Sequence, residues 1–411
     1  MRRMTLDPPA HRIAPPDWLQ SGAPAAVLAA LPGARAVGGV VRDALAGRPL
    51  HDVDIAAPLP PEEIAARLRA AGLKVFETGL QHGTVTAVLD HQPVEVTSLR
   101  QDLDTDGRHA TVAWTTDWRL DAARRDFTIN AMSMAADGAV WDYFGGRDDL
   151  AAGRLRFVGD PATRLAEDYL RVLRFFRFQA RFGRGEPDPA ALSAIRAAVP
   201  GLGRLSAERV WMELKRLLEA PDPPADLPAT LALMRQTGVL LAVLPEAAEL
   251  APLAMLARRG GPADPLLRLA LLLPPAAPVE PLIRRLKLSG EEARRLGTLL
   301  SGPAPAPALQ GAALRRWLAD LAAPAALDAA WAAEARDGAD RAPLRDRIAA
   351  TPRPVFPLQG RDGLALGIPP GPALGQALAS LRQWWWENGC EADADACRVE
   401  LSRRLAAGSA P

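Results

Sequence analysis

Strand-forming runs are dense before residue 160 and nearly vanish after it, and this change of pattern divides the chain into two architectures. Short β-branched runs at 34–37, 53–56, 74–77, 84–89, 94–98 and 140–143 predict strands, interleaved with helical stretches at 24–31, 40–46, 61–71 and 120–132. His91-Gln92, with Asp90 and Pro93 as punctuation, predicts the turn of a hairpin between the fourth and fifth strands. From Asp160 onward Ala-, Leu- and Arg-rich stretches follow one another between Pro- and Gly-containing breaks. The clearest helix is 165–182, and 206–218 is a second with Ser206 as its N-cap. The expected fold is α+β: a head built on a small mixed sheet with helices, followed by an all-α remainder. The expected boundaries are an irregular Pro-rich lead at 1–23, the head at 24–160, a helical neck at 161–225 and an all-α body and tail at 226–411.

Composition excludes several classes. Cys390 and Cys397 are the only cysteines, too few for a zinc ribbon or a disulfide scaffold, which points to a reducing compartment, the cytoplasm. All five histidines (11, 51, 82, 91 and 109) lie in the first quarter, so no His-rich metal site can follow. Asp7 and several prolines stand where a signal peptide needs an apolar run, and apolar stretches such as 269–283 are broken by Pro and Glu280, so no membrane is expected. Net charge is only +1, but it is a sum of opposed patches. Residues 51–150 carry 9 basic and 17 acidic side chains, whereas 151–200 carry 9 and 5. Arg outnumbers Lys 46 to 3, a bias of the whole chain, so no arginine is functional merely by being arginine.

The informative segment is Val37-Gly38-Gly39-Val40-Val41-Arg42-Asp43-Ala44-Leu45-Ala46-Gly47-Arg48, followed by His51-Asp52-Val53-Asp54. A strand ends in two glycines and a helix begins, so backbone N–H groups can approach a phosphate, with Arg42 as a bidentate cation beside them. In a strand, Asp52 and Asp54 share a face, and two carboxylates so close repel each other unless a hard cation such as Mg²⁺ lies between them. A Gly-Gly pair alone is usually a turn, and an Asp-x-Asp alone is usually a solvated strand. Together they point to phosphate chemistry.

These residues resemble the first motif of the class II nucleotidyltransferases, the CCA-adding tRNA nucleotidyltransferases and bacterial poly(A) polymerases. Four more motifs occur in the family's order: Arg124-Arg125-Asp126-Phe127-Thr128-Ile129-Asn130-Ala131-Met132, Asp142-Tyr143-Phe144-Gly145-Gly146, Glu167-Asp168-Tyr169-Leu170-Arg171-Val172-Leu173-Arg174, and Ser206-Ala207-Glu208-Arg209 through Glu213-Leu214-Lys215. The resemblance spans about 38–218 and continues more loosely at 358–375. It implies that Asp52 and Asp54 hold Mg²⁺, that an RNA 3′-hydroxyl attacks the α-phosphate of a nucleoside triphosphate, and that Gly38, Gly39 and Arg42 receive the leaving pyrophosphate. Glu95 stands where the family has a third carboxylate, and reads equally as a charge on an exposed strand face. Arg125, Asp126 and Asn130 are expected on a helix contacting ribose or triphosphate, with Asp126 orienting Arg125. Arg174 is expected to reach triphosphate, while Arg177 and Arg181 meet solvent or RNA backbone. Arg108 and His109 belong to a polar loop at 102–109, where the family has a flexible element.

Base choice follows from hydrogen-bond inventory. Asp168 and Arg171, at i and i+3 on one expected helix, form an acceptor beside a donor. Cytosine and adenine both present an amino donor beside a ring-nitrogen acceptor, so both fit; guanine and uracil present the reverse. An ordinary surface salt bridge is the alternative. The implied activity is template-independent addition of CTP, CTP and ATP to the 3′ end of tRNA, with tRNA, CTP and ATP as partners. Gln81-His82-Gly83-Thr84-Val85-Thr86 and the absence of a long basic tail favour this over poly(A) synthesis. A catalytically silent RNA-binding protein ranks below both, because the carboxylates and glycines are all present. The lack of histidine after 109 excludes an appended HD phosphohydrolase. Trp384-Trp385-Trp386 is expected in a core or subunit contact, and the oligomeric state stays open.

Overall fold

The computed structural model describes residues 7–50, 52–80, 83–105, 110–221 and 226–406. They form two compact units, Met1–Pro245 and Glu246–Pro411. The strands are β1 (His11–Arg12), β2 (Arg35–Val37), β3 (Asp54–Ala57), β4 (Lys74–Gly79), β5 (Thr84–Leu89), β6 (Gln92–Ser98), β7 (Arg100–Thr105), β8 (Ala110–Trp114), β9 (Met132–Met134) and β10 (Ala139–Asp142). Eight of them make one mixed sheet in the order β1-β10-β9-β2-β3-β6-β5-β4, while β7 and β8 form a separate ribbon.

The pairing of β3 with β6 is parallel, and every other pairing in the sheet is antiparallel. Alternation decides what each face carries. In β6, Val94, Val96 and Ser98 are buried while Glu95 is exposed. In β3, Ile55 and Ala57 enter the main core, so Asp54 and Ala56 face the other way. The core face is covered by α2 (Gly22–Ala30) and α4 (Pro61–Ala70), which contribute Ala23, Val27, Ile64 and Leu68. The opposite face stays open at Asp54 and Glu95.

The expected lead at 1–23 is more ordered than its prolines imply. Within it β1 pairs with β10, α1 (Asp17–Gln20) follows, and Leu19 is buried in the main core. The hairpin turn is Asp90-His91 rather than His91-Gln92. Both turn residues have positive φ (49° and 64°), and Leu89 pairs with Gln92 across a two-residue turn.

Two expected helices break for the same reason, a carboxylate that bonds its own backbone. In place of 120–132, α5 (Trp118–Ala123) ends early, a short 3₁₀ turn covers Thr128–Asn130, and β9 begins at Met132. Asp126 accepts from the Phe127 N–H at 2.8 Å, and Phe127 bridges to Phe157. In place of 165–182 there are two helices. After α3 (Gly39–Leu45), α6 (Gly146–Ala152) and α7 (Pro161–Glu167), the chain extends at Asp168 (φ −156°, ψ 109°) before α8 (Leu170–Phe182). The Asp168 carboxylate accepts the Leu170 N–H at 3.0 Å, and its carbonyl accepts the Arg171 N–H at 3.0 Å.

Helix α8 is buried over most of its surface, and Phe175 and Phe178 pack on Phe127 and Phe157 with ring centroids 5.0–6.2 Å apart. After α9 (Pro189–Ala198), α10 (Ala207–Leu218) lies against α8. Arg177, expected at solvent or RNA, is buried there and donates to Glu213 at 2.7 Å.

The second unit is entirely helical among its described residues, from Ala251–Arg258 to Ala394–Ala406. Leu314, Leu318, Ala330, Leu344 and Ile348 make one of its cores, and Leu381, Trp385, Cys397 and Leu401 another. Trp385 is buried, with Trp384 and Trp386 half-buried beside it, as three adjacent helical positions require. Both cysteines are unpaired and buried, and burial pushes both thiols up. No described helix is long and apolar enough to cross a membrane.

Candidate active site

The strand-to-helix turn depends on glycine. Gly38 has φ 72° and ψ −125°, and its N–H donates to the Met132 carbonyl at 3.2 Å. A Cβ built there would stand 2.8 Å from Arg125 Nη1. Gly38→Ala should cost about 2 kcal/mol of stability from backbone strain. Its activity loss should exceed that, because Arg125 is pushed from its place; chemical denaturation and turnover on the same sample check this.

The turn opens on a cleft of about 450 Å³ whose walls bring together Gly38, Gly39, Arg42, Asp54, Arg125, Asp126, Asn130, Asp168, Arg171 and Arg174. Ten of the twelve residues expected in the site therefore meet in one place. Glu95 and Asp52 line an adjoining hollow that shares Asp54 with the cleft. Parallel pairing puts Asp54 directly beside Glu95, whereas Asp52 precedes the strand.

Asp54 feels this crowding. Its carboxyl is pushed above the usual range, first by desolvation and then by Glu95, with Arg125 opposing and Asp52 adding. Among the described residues no group of three or more acidic, His or Cys side chains is preassembled as a metal cage. Two adjacent carboxylates with a third nearby instead fit a hard divalent cation that takes its remaining ligands from phosphates and water.

The polar wall is a connected network. Asp126 is buried and accepts from Asn130 Nδ2 at 3.0 Å and from Arg174 Nε at 2.9 Å. Burial alone would raise its pKa, but Arg174 and these hydrogen bonds win, and it lies below the usual range. Asn130 Oδ1 accepts from Arg42 Nη1 at 2.6 Å. The expectation that Asp126 orients Arg125 is thus corrected: it holds Arg174 and Asn130, neither of the pair Asp126 and Asn130 is on an α-helix, and Arg125 is held by Asp121 at 3.1 Å. Asp121 also takes Arg124, and the two cations overcome its burial to keep it ionised.

Arg42 is not the bare fork that its position in the motif suggests. Its Nε and Nη2 both donate to Asp43, at 2.9 and 2.8 Å, and its guanidinium lies 4.3 Å from the Phe182 ring centroid. Asp168 and Arg171 are corrected in the same way. They flank the break between α7 and α8, with Arg171 bonded to Glu167 and Asp168 to Arg209 at 2.7 Å. Both still face the cleft. Arg209, Arg124 and Phe178 also line it. Arg209 lies inside the Ser206-Ala207-Glu208-Arg209 motif, and its pairing with Asp168 is tertiary, invisible to helical spacing. The polar loop expected at 102–109 is strand as far as Thr105, where β7 pairs with β8, and Arg108 and His109 lie outside the described residues.

The poly A polymerase head domain family matches residues 34–156, and the family described as a probable RNA and SrmB-binding site of polymerase A matches 186–250. The CCA-adding enzyme of Streptococcus gordonii is 42% identical over 187 residues, 45% of this chain and 46% of that protein. The crystal structure of the Bacillus stearothermophilus CCA-adding enzyme in complex with CTP superposes with a TM-score of 0.71 at 29% identity, covering 92% of this chain and 94% of that one. The mitochondrial CCA tRNA nucleotidyltransferase 1 of Danio rerio is 36% identical over 384 residues, 90% of this chain and 87% of that protein. With a likeness of that extent joined to the Gly-Gly turn, the paired carboxylates and the arginine-lined cleft, the chain belongs to the CCA tRNA nucleotidyltransferase family.

Proposed function

We propose that this protein completes the 3′ end of tRNA by adding C, C and A from CTP and ATP, releasing pyrophosphate at each step. The observation that carries the reading is that one cleft is lined both by Asp54 and the Gly38-Gly39 turn, suited to phosphate, and by Asp168, Arg171 and Arg209, suited to a base.

In this reading Asp52, Asp54 and Glu95 hold Mg²⁺. When bound, the metal draws charge from the phosphate oxygens and makes the RNA 3′-hydroxyl more acidic. Asp54 and Glu95 aim that end of the cleft from the open face of the sheet. The Gly38 N–H is engaged with Met132, so the turn's contact with triphosphate falls to the amides from Gly39 onward. Arg125 and Arg174 supply positive charge along the same wall, the first held by Asp121 and the second by Asp126 with Glu213 at 3.8 Å, which fixes their positions before substrate arrives. The 3′-oxygen then bonds to the α-phosphorus as the bond to pyrophosphate breaks.

At the other end the Asp168 carboxylate accepts from the exocyclic amino group shared by cytosine and adenine, and a guanidinium of Arg171 donates to the ring nitrogen. Arg209 donates to Asp168 at 2.7 Å and orients its carboxylate for this role. No nucleic-acid template is required. The helical segments between 226 and 406 are assigned to holding the tRNA, and the cytoplasm suits two reduced, buried thiols.

The test is incorporation on a tRNA ending at the discriminator base. With Mg²⁺, CTP and ATP the RNA should grow by three nucleotides and stop, and by two with CTP alone. Long A tails formed from ATP alone would overturn the reading in favour of poly(A) synthesis.

A further inference from the structure

Four arginines converge in a separate hollow whose lining shares no residue with the cleft. About 410 Å³ in volume, it is lined by Arg48, Arg147, Arg181 and Arg184 together with Phe182, and by no carboxylate. It lies where α3, α6 and α8 end. Helix C-termini carry only about −0.5 charge each, so three of them leave four guanidinium groups far from neutralised.

Two of the arginines answer those helix ends directly. Arg48 Nη2 donates to the Arg181 carbonyl at 2.6 Å and its guanidinium lies 4.2 Å from the Phe182 ring centroid. Arg184 Nη2 donates to the Ala151 carbonyl at 2.8 Å. It is seated over Gly153, where an added Cβ would come within 2.6 Å of it. These contacts position the cations without cancelling their charge.

Several other arginines of the unit are paired with carboxylates. Arg124 and Arg125 share Asp121, Arg154 and Arg156 share Asp149, Arg174 has Asp126 and Arg177 has Glu213. None of the four lining arginines is ion-paired among the described residues. Arg181 Nε is moreover buried without a hydrogen-bond partner. Arg164 and Arg285 also bury an unmatched Nε, so the donor alone is no mark of a site; at Arg181 it coincides with an acid-free hollow lined by four cations, which has room for an acceptor from outside. Arg48 is correspondingly held below its ordinary pKa, first by burial and then, against the pull of Asp43, by Arg181, Arg42 and Arg184.

We propose that this hollow binds a phosphate group. A tetrahedral dianion presents acceptors in several directions at once and matches guanidinium forks. Its source is either a backbone phosphate of RNA or a free phosphate or pyrophosphate.

The experiment uses the full chain as wild type, Arg147→Gln, Arg181→Gln and Arg181→Lys. Inorganic phosphate, titrated against chloride at matched ionic strength, should raise the wild-type Tm by about 3 °C near saturation and should leave both Gln variants unmoved. Arg181→Lys should keep part of the response. Affinity for a tRNA lacking its last three nucleotides is then measured against salt. If the occupant is RNA backbone, each Gln variant flattens the slope of log K against log salt by about 0.7–0.9. If it is free phosphate, the slope is unchanged while the thermal response is lost. A Gln variant pair with wild-type phosphate response and wild-type slope overturns the proposal. Should Arg181→Gln be poorly folded, Arg147→Gln decides, because that side chain is exposed and donates to His11 rather than to the core.

Discussion

Asp54→Asn should abolish nucleotide incorporation and at the same time make the metal-free protein more stable. The first half follows from position: Asp54 is the one residue common to the cleft, to the hollow lined by Asp52 and Glu95, and to a smaller hollow of about 270 Å³ lined by Glu95, Asp121 and Arg125. A carboxylate that fixes the metal end contributes several kcal/mol to transition-state charge stabilisation, so the rate should fall by about 10³-fold or more. The second half follows from the direction of its pKa. Because desolvation, Glu95 and Asp52 raise it in the folded state, ionising Asp54 costs more folded than unfolded. Its contribution to stability is therefore present below the ordinary value near 3.8 and is lost as pH rises through the raised one. At neutral pH the charge opposes folding, and the neutral amide relieves that. Calorimetry without divalent metal should show the variant melting above wild type at pH 7, with the gap closing toward pH 4. A variant that melts below wild type at pH 7, or that still incorporates nucleotide, would contradict the assignment.

Asp126→Ala should produce the largest loss of stability of any single change near the cleft. It strips the acceptor from Arg174, Asn130 and the Phe127 N–H together, and leaves Arg174 with Glu213 at 3.8 Å as its remaining carboxylate. Removing one partner of a buried ion pair costs about 3–5 kcal/mol. In a unit of this size that is a fall in Tm of roughly 10 °C. Asp126→Asn keeps the shape and should lose about half as much. Here the pKa is depressed, so the sign reverses: the stabilisation is present above the ordinary value near 3.8 and disappears as pH falls through the lower folded value. Acid titration of unfolding in wild type and Asp126→Asn checks it, since the two curves should converge only in strong acid. Equal melting of wild type and Asp126→Ala at neutral pH would show that the network does not hold the cleft.

The head's strands were readable because half-buried strands alternate, and β5 occurs where its Thr-Val-Thr-Ala-Val-Leu pattern places it. The Gly-Gly turn and Asp54 were readable because few backbones need those residues in that order. The two-residue β1, the three-residue β9 and the ribbon of β7 and β8, whose first strand carries Asp102 and Asp104, were not. The segments around Asp126 and Asp168 have helical apolar spacing, and only the tertiary partners Arg174 and Arg209 explain why their carboxylates interrupt it. The arginines were least legible of all. A sequence so biased toward Arg gives Arg177 and Arg181 the same appearance, yet one is locked on Glu213 and the other faces an acid-free hollow.

The parallel pairing of β3 with β6 also has a consequence for how the chain acquires its activity. Asp54 and Glu95 are about 40 residues apart in sequence and become neighbours only after the chain has crossed over through α4, β4 and β5. No local hairpin can bring them together, so the closure of that loop must come first. Divalent-cation affinity should therefore appear late in refolding, with the complete sheet rather than with its hairpins, and a fluorescent lanthanide added during refolding would report the moment at which the head becomes competent.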